Sequence, residues 1–391
     1  MPAPSSSANP ASLAELVNVG ESFCLFRRDN HALALLNDSA ATMLASSFDG
    51  LDTSRFEPRD GRAHPSKKID GASPCTEALM TQLRSEGFLA APAPHRPCLP
   101  LLPEPHLGPR LVLDEVYRFA DGPPVRLKCV DEQLAGLLAA ALTPLRAAES
   151  AAHEIDMLVS SDERSFGVWR QRVAIATGLD RVTARRICLQ AMSMALLPPD
   201  GIAALLHASC VALQGRALVL AGATGSGKST LTMALVGIGA TYLADDLTPL
   251  HRSGKSVLSF PLAASVKSGS WSALQAYFPE LQDLETYRVG ERRVRYVDPS
   301  PAGSAPVGTG NVAVGALVFP AFTPGDSETS LQRLTPEEAL SLLVGSGSEV
   351  VGANRSIVPL TTFLNETPAW RLAFPDTASG LQAVQKIMGA P

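Results

Sequence analysis

The run Gly222-Ala223-Thr224-Gly225-Ser226-Gly227-Lys228-Ser229-Thr230 has the composition of a polyphosphate cradle, G-x-x-x-x-G-K-[ST]. Glycines let successive backbone N–H groups turn inward around an anion, and a helix starting at the loop adds a favourable partial charge. In that chemistry Lys228 reaches the β- and γ-phosphates and the Ser229 hydroxyl sits on Mg²⁺. The surroundings agree: Ala217–Ala221 is an apolar strand-like run, and Leu231–Val236 has helix-forming composition. Strand, glycine loop and helix in that order predict a nucleoside triphosphate site, with ATP and Mg²⁺ as the expected ligands. No residue stands out that would read the base, so ATP and GTP stay open.

A second run supplies carboxylates. The apolar segment Ala240–Ala244 ends in Asp245 and Asp246, 17 and 18 residues after Lys228. A helix of about 10 residues and a strand of about 5 fill that gap, so two strands lying side by side bring the pair to the phosphate end of one sheet. One carboxylate there can hold Mg²⁺, and the other can take the proton of an attacking hydroxyl. The plainer reading is a solvated loop pair or a helix cap; the apolar strand favours the first.

Residues 207–246 resemble the catalytic core of HPr kinase/phosphorylase, of the phosphoenolpyruvate-carboxykinase-like group. His207 stands 15 residues before Gly222, the loop reads GATGSGKS, and LADD carries the Asp pair at the family's spacing. The resemblance implies phosphoryl transfer from ATP to a hydroxyl. Asp246 would be the general base, Asp245 and Ser229 would lie at Mg²⁺, and His207 would support the site. Taken alone, His207 reads as an ordinary core or helix-end histidine. The resemblance also implies a mixed sheet, more antiparallel than a doubly wound fold, and a homo-oligomer. Three departures point away from HPr itself as the substrate. Thr230 stands where that family usually has Glu, the family's downstream acidic metal motif is replaced by SVKSGSW with Lys267, and its C-terminal signature is missing. Lys267 would then contact phosphate, or be a plain surface charge. Arg288, Arg292, Arg293 and Arg295 could include a group that stabilises the transferring phosphoryl; on an alternating strand they also read as a solvated face.

The elements that must position these groups belong to a chain of 391 residues, enough for two or three domains. A net charge of −5 argues against nucleic-acid binding. No apolar stretch approaches the ~20 residues that span a bilayer. Six scattered cysteines without a C-x-x-C pair argue against a disulfide framework or structural zinc and for reduced thiols in the cytoplasm.

Residues 1–10 read as a disordered tail, 11–90 as a small separate unit, 91–110 as a Pro-rich linker and 111–391 as the loop-bearing domain. In the first unit, Glu21–Phe26 and Ala32–Leu36 predict strands, Asn37-Asp38-Ser39 caps a helix over Ala40–Ser47, 50–74 is a loop and Thr76–Ser85 a helix. His31–Gly50 resembles PqqD-like domains, small winged-helix-like modules that bind leader peptides; Leu36-Asn37 and Asp49-Gly50 carry the match. The alternative is a small α/β unit that only braces the rest. Further on, strands are expected at Val125–Cys129, Glu154–Val159 and Ser165–Trp169, and helices at Glu132–Leu142 and Ala184–Leu197. A helix is expected over Ile202–Leu205, a hairpin over Ala208–Ala221, and strands at Ser256–Phe260, Glu291–Tyr296 and Val312–Phe319. Helices are expected around Trp271–Tyr277, over Thr335–Val344 and after Ser379-Gly380; Pro299–Gly310 is a loop.

The fold expected is therefore α/β: a kinase core of HPr-kinase/phosphoenolpyruvate-carboxykinase type behind a small α+β domain. The function expected is an ATP-dependent kinase acting on a hydroxyl, with serine the first choice, of a peptide or small protein. A small-molecule kinase and a non-catalytic ATP-binding scaffold remain open alternatives.

Overall fold

The computed structural model describes residues 14–29, 31–47, 51–56, 81, 83, 111–119, 122–147, 155–161, 165–198, 201–298, 310–351 and 355–389. Alternating apolar residues build the first sheet from β1 (Ala14–Val19), β2 (Ser22–Arg27), β3 (Leu33–Leu36) and β4 (Leu51–Arg55), in the order β3-β2-β1-β4. Helix α1 (Asp38–Ser47) starts where Asn37 Oδ1 accepts the Ala40 N–H at 2.9 Å. The period of two sends Leu16, Phe23 and Leu25 toward α1, while Val17, Val19, Cys24 and Phe26 join the core of the largest sheet. The expected loop over 50–74 is a strand at 51–55, because β1 offers a parallel partner. The tail at 1–10, the Pro-rich linker and the loop 299–309 lie outside the described residues. So does most of Thr76–Ser85, of which Thr81 and Leu83 are helical.

The second sheet runs β5 (Leu113–Tyr117), β6 (Val125–Cys129), β7 (Ile155–Ser161), β8 (Phe166–Arg170) and β9 (Val173–Leu179) in sequence order. Helices α2 (Glu132–Leu142) and α3 (Arg181–Leu196) pack on it through Leu134, Leu138, Cys188 and Met192. Asp131 and Asp180 cap them, accepting the Leu134 N–H at 2.8 Å and the Val182 and Thr183 N–H groups at 2.9 and 3.0 Å.

The third sheet has ten strands. Its first members are β10 (Ile202–Leu206), β11 (Ala208–Leu213), β12 (Arg216–Ala221), β13 (Thr241–Ala244), β14 (Thr248–His251) and β15 (Ser256–Leu258). Helix α4 (Lys228–Gly237) joins β12 to β13. A three-stranded sheet interrupts, with β16 (Ala264–Lys267), β17 (Tyr287–Val289) and β18 (Arg292–Val297), and carries the short helix α5 (Trp271–Leu274). The large sheet is then completed by β19 (Asn311–Phe322), β20 (Ser330–Leu334), β21 (Glu349–Val350) and β22 (Ala369–Phe374), with α6 (Pro336–Gly345), α7 (Val358–Glu366) and α8 (Thr377–Met388) packed around it. Its path is β13-β11-β12-β19-β15-β14-β10-β21, and β22 lies between β19 and β20. The chain is thus a mixed α/β protein with several mixed sheets and eight helices among the described residues.

Three further expectations change. Ile202–Leu206 is a strand, since all five residues are buried and β14 and β21 flank it; a short Ala/Leu run does not distinguish strand from helix by periodicity. Strands β12 and β13 share a sheet but are not neighbours, because the first hairpin strand β11 lies between them. Helix α8 starts three residues before Gly380, capped by Asp376, and Gly380 lies inside it because a Cβ there would come within 2.9 Å of the Phe374 ring.

The first sheet is bolted to the third. Buried Glu15 accepts the Ile357 N–H at 2.8 Å and Arg28 Nη2 at 2.6 Å, and Asn365 bonds Gly20 N–H and Asn18 O at 2.9 and 3.2 Å. Glu15→Ala would leave the Arg28 charge and a buried N–H without this acceptor. It should cost about 3 kcal/mol in urea unfolding, with Glu15→Gln losing less.

Candidate functional site

Strand directions gather the site. β12 and β13 are both antiparallel to β11, and β12, β19 and β22 run parallel to one another. The carboxyl ends of all four parallel strands therefore meet at one edge, where ligands collect in open α/β sheets. They carry Gly222, Asp245, Phe322 and Phe374 there, and the antiparallel β11 starts at the same edge, just after His207.

The glycine loop turns through left-handed backbone at Gly222, Gly225 and Gly227, with φ of 142°, 90° and 94°. Gly227 opens α4 with no side-chain cap, so the first N–H groups of that helix face outward toward the cavity. A Cβ on Gly227 would stand 3.0 Å from the Phe374 ring and 3.3 Å from Phe322 Cβ. Lys228 is buried, and its Nζ donates to Gly222 O at 2.5 Å and Ala223 O at 3.1 Å. Burial lowers the Lys228 pKa, the Asp246 and Asp245 carboxylates oppose this, and Lys267 adds to the lowering.

The two aspartates have opposite surroundings. Asp245 is 2% exposed; its Oδ1 accepts Ser209 Oγ at 2.5 Å and Ser229 Oγ at 3.1 Å, and its Oδ2 accepts the Ser265 N–H at 3.3 Å. Burial and the neighbouring Asp246 charge push its pKa up to about 6 against those hydrogen bonds. Asp246 is exposed and has φ of 62°, a conformation uncommon for a residue with a Cβ. That turn swings the second carboxylate away from the sheet and into the cavity. His207 lies close to Asp246, and its backbone N–H is held by Ser348 Oγ at 3.0 Å. Burial lowers the His207 pKa, which keeps the ring neutral at pH 7.

A cavity of about 340 Å³ joins Thr224, Gly225, Gly227, Lys228, Ser229 and Thr230 to Asp246, Lys267 and the aromatic pair Phe322/Phe374. Thr230 reaches across to Ser270, hydroxyl to hydroxyl at 2.6 Å, fastening α4 to the turn after Lys267. Arg288, Arg292, Arg293 and Arg295 do not line it. Arg295 lies 4.0 Å above the Trp271 ring and donates to Leu281 O at 2.7 Å, a packing role. Ser229 and Asp245 offer hard oxygen ligands in contact, which fits a magnesium ion that keeps most of its waters. Among the described residues no group of three or more His, Cys, Asp or Glu forms a closed metal site.

Ser209, Ser265, Phe322 and Phe374 were missed from sequence. The signal for Ser209 was a serine in the apolar run Ala208–Leu213, at a position now fully buried. Neither a family model nor a curated protein matches the chain.

Two outcomes follow from this geometry. Gly227→Ala combines a left-handed φ with contact against Phe374, and should cost about 1–3 kcal/mol in thermal or urea unfolding. An acid whose pKa rises on folding favours the folded state in its protonated form. Asp245 therefore costs stability above about pH 6, and that cost disappears as pH falls toward the ordinary carboxylate range. Asp245→Asn should raise the melting temperature of the ligand-free protein at pH 8, with the gain shrinking at pH 5.

Proposed function

We propose that the chain is an ATP-dependent kinase with a P-loop core of the HPr-kinase-like kind, transferring the γ-phosphoryl group to a hydroxyl of a peptide or small protein. The observation that carries this reading is the division of labour in the Asp pair: Asp245 buried against Ser229, and Asp246 exposed in the cavity that holds Lys228. Uncapped N–H groups at the start of α4, with Lys228 and Lys267, supply donors for the phosphates. Ser229 and Asp245 would hold Mg²⁺, which supplies charge neutralisation to the phosphate oxygens when bound. Asp246 accepts the proton of the acceptor hydroxyl as its oxygen bonds to the γ-phosphorus. The bond from that phosphorus to the β,γ-bridging oxygen breaks, and ADP leaves. Neutral His207, close to Asp246, would support the site.

The peptide acceptor is supported by the first sheet, whose outer strand β3 has no strand partner on its far side among the described residues. An extended segment can pair with such an edge. A cytoplasmic location fits the buried free thiols Cys24, Cys129, Cys188 and Cys210; among the described residues no helix is long and apolar enough to cross a membrane.

The test is intact-mass analysis of peptides encoded beside this gene after incubation with the protein and Mg-ATP. One added phosphoryl mass is expected. Lys228→Ala should abolish it, and Asp246→Asn should slow it about 10²–10⁴-fold with ATP binding retained. Full turnover in Asp246→Asn would remove the proposed base. Tight ATP binding with no phosphorylated product would mark a scaffold instead.

A further inference from the structure

The cavity has two chemically different ends. One is built for anions, from the glycine loop, Lys228 and Lys267. The other is aromatic. Phe322 closes β19 and Phe374 closes β22, their ring centroids 5.7 Å apart at 52°. Phe374 is buried at 3% exposure, whereas Phe322 is 44% exposed, and it alone among the described Phe, Tyr and Trp residues is exposed. An aromatic ring left exposed in the lining of this cavity loses the burial that would ordinarily stabilise it.

Its position is held tightly all the same. The Phe322 N–H donates to Ser226 O at 3.0 Å, and the Thr323 N–H donates to Phe374 O at 3.0 Å. The glycine loop rests directly on both residues, with no room at Gly227 for a side chain. The aromatic floor and the phosphate loop are therefore one rigid unit, and a ligand touching the loop with its anionic end lies beside the exposed face of Phe322.

We infer that Phe322 is the stacking platform for the nucleobase of the bound nucleoside triphosphate. This rests on the nucleotide reading above and extends it to the base end of the ligand. Phe374 backs the Phe322 ring from the core side and fixes its tilt. Stacking on a ring face tolerates any base, so this platform adds affinity without choosing ATP over GTP.

Calorimetric titration with Mg-ATP and with Mg-tripolyphosphate, which lacks the nucleoside, separates the two ends. Phe322→Ala should weaken Mg-ATP binding about tenfold or more, from the usual worth of a base–aromatic stack, and leave Mg-tripolyphosphate unchanged. Phe322→Trp, which restores an aromatic face, should keep affinity for Mg-ATP near that of the unaltered protein. Equal losses for both ligands in Phe322→Ala would overturn the inference, because the loop and not the base would then be affected. Unchanged Mg-ATP binding would overturn it as well. If the unaltered protein binds tripolyphosphate and ATP equally well, the platform is refuted while the phosphate loop stands. If it binds neither, the nucleotide reading itself fails.

Discussion

The buried carboxylate of Asp245 is the constraint on which the site depends. An ionised group this deep is tolerated only when its oxygens are occupied, and three donors from three separate elements occupy them: Ser209 from β11, Ser229 from α4 and the Ser265 N–H from β16. Each bond fixes a distance that the local structure leaves free. Together they set the start of α4 against the end of β13 and bring β16 across the top of the sheet. Lys267 ends that strand just beyond Ser265, and the bond that anchors Ser265 brings it to the cavity.

A similar dependence on remote partners ties the first sheet to the third. One face of the first sheet packs on α1 and on Phe56 and Leu83. Its second face, with Val17, Val19, Cys24 and Phe26, is covered by the apolar residues of α6 and α7, Leu340, Leu343, Leu360 and Phe363 among them. Buried Glu15 works as a polar pin in that apolar seam, and pins of this kind fix one docking geometry where apolar contact alone allows several. The third sheet and the first are thereby parts of one core, and the second sheet joins it through Leu205, Leu258 and Phe260.

Local physics carried much of this into the sequence. Capping at Asn37, the strand–loop–helix around Gly222–Gly227 and the hairpin before it are short-range features, and each occurs where the residues indicate. Partners that are remote in sequence were not legible. Nothing in Ile202–Leu206 shows that β14 and β21 will flank it, and nothing in Gly380 shows that Phe374 needs the space. At the site, the type and spacing of Lys228, Ser229, Asp245 and Asp246 were readable. The difference in burial between the two aspartates was not, because it is created by a left-handed turn at Asp246 and by serines from other strands.

That difference bears on what the two carboxylates can do. Side by side in one environment they would repel, and their protons would come off in coupled steps. Burial raises the Asp245 pKa and the Asp246 charge beside it pushes the same way, so Asp245 keeps its proton to higher pH than an exposed carboxylate does. In the proposed enzyme, a cation held by Ser229 and Asp245 would favour the ionised form of Asp245. On the proposed reading, the exposed carboxylate is then left as the one base facing the acceptor. The left-handed turn at Asp246 sets its direction.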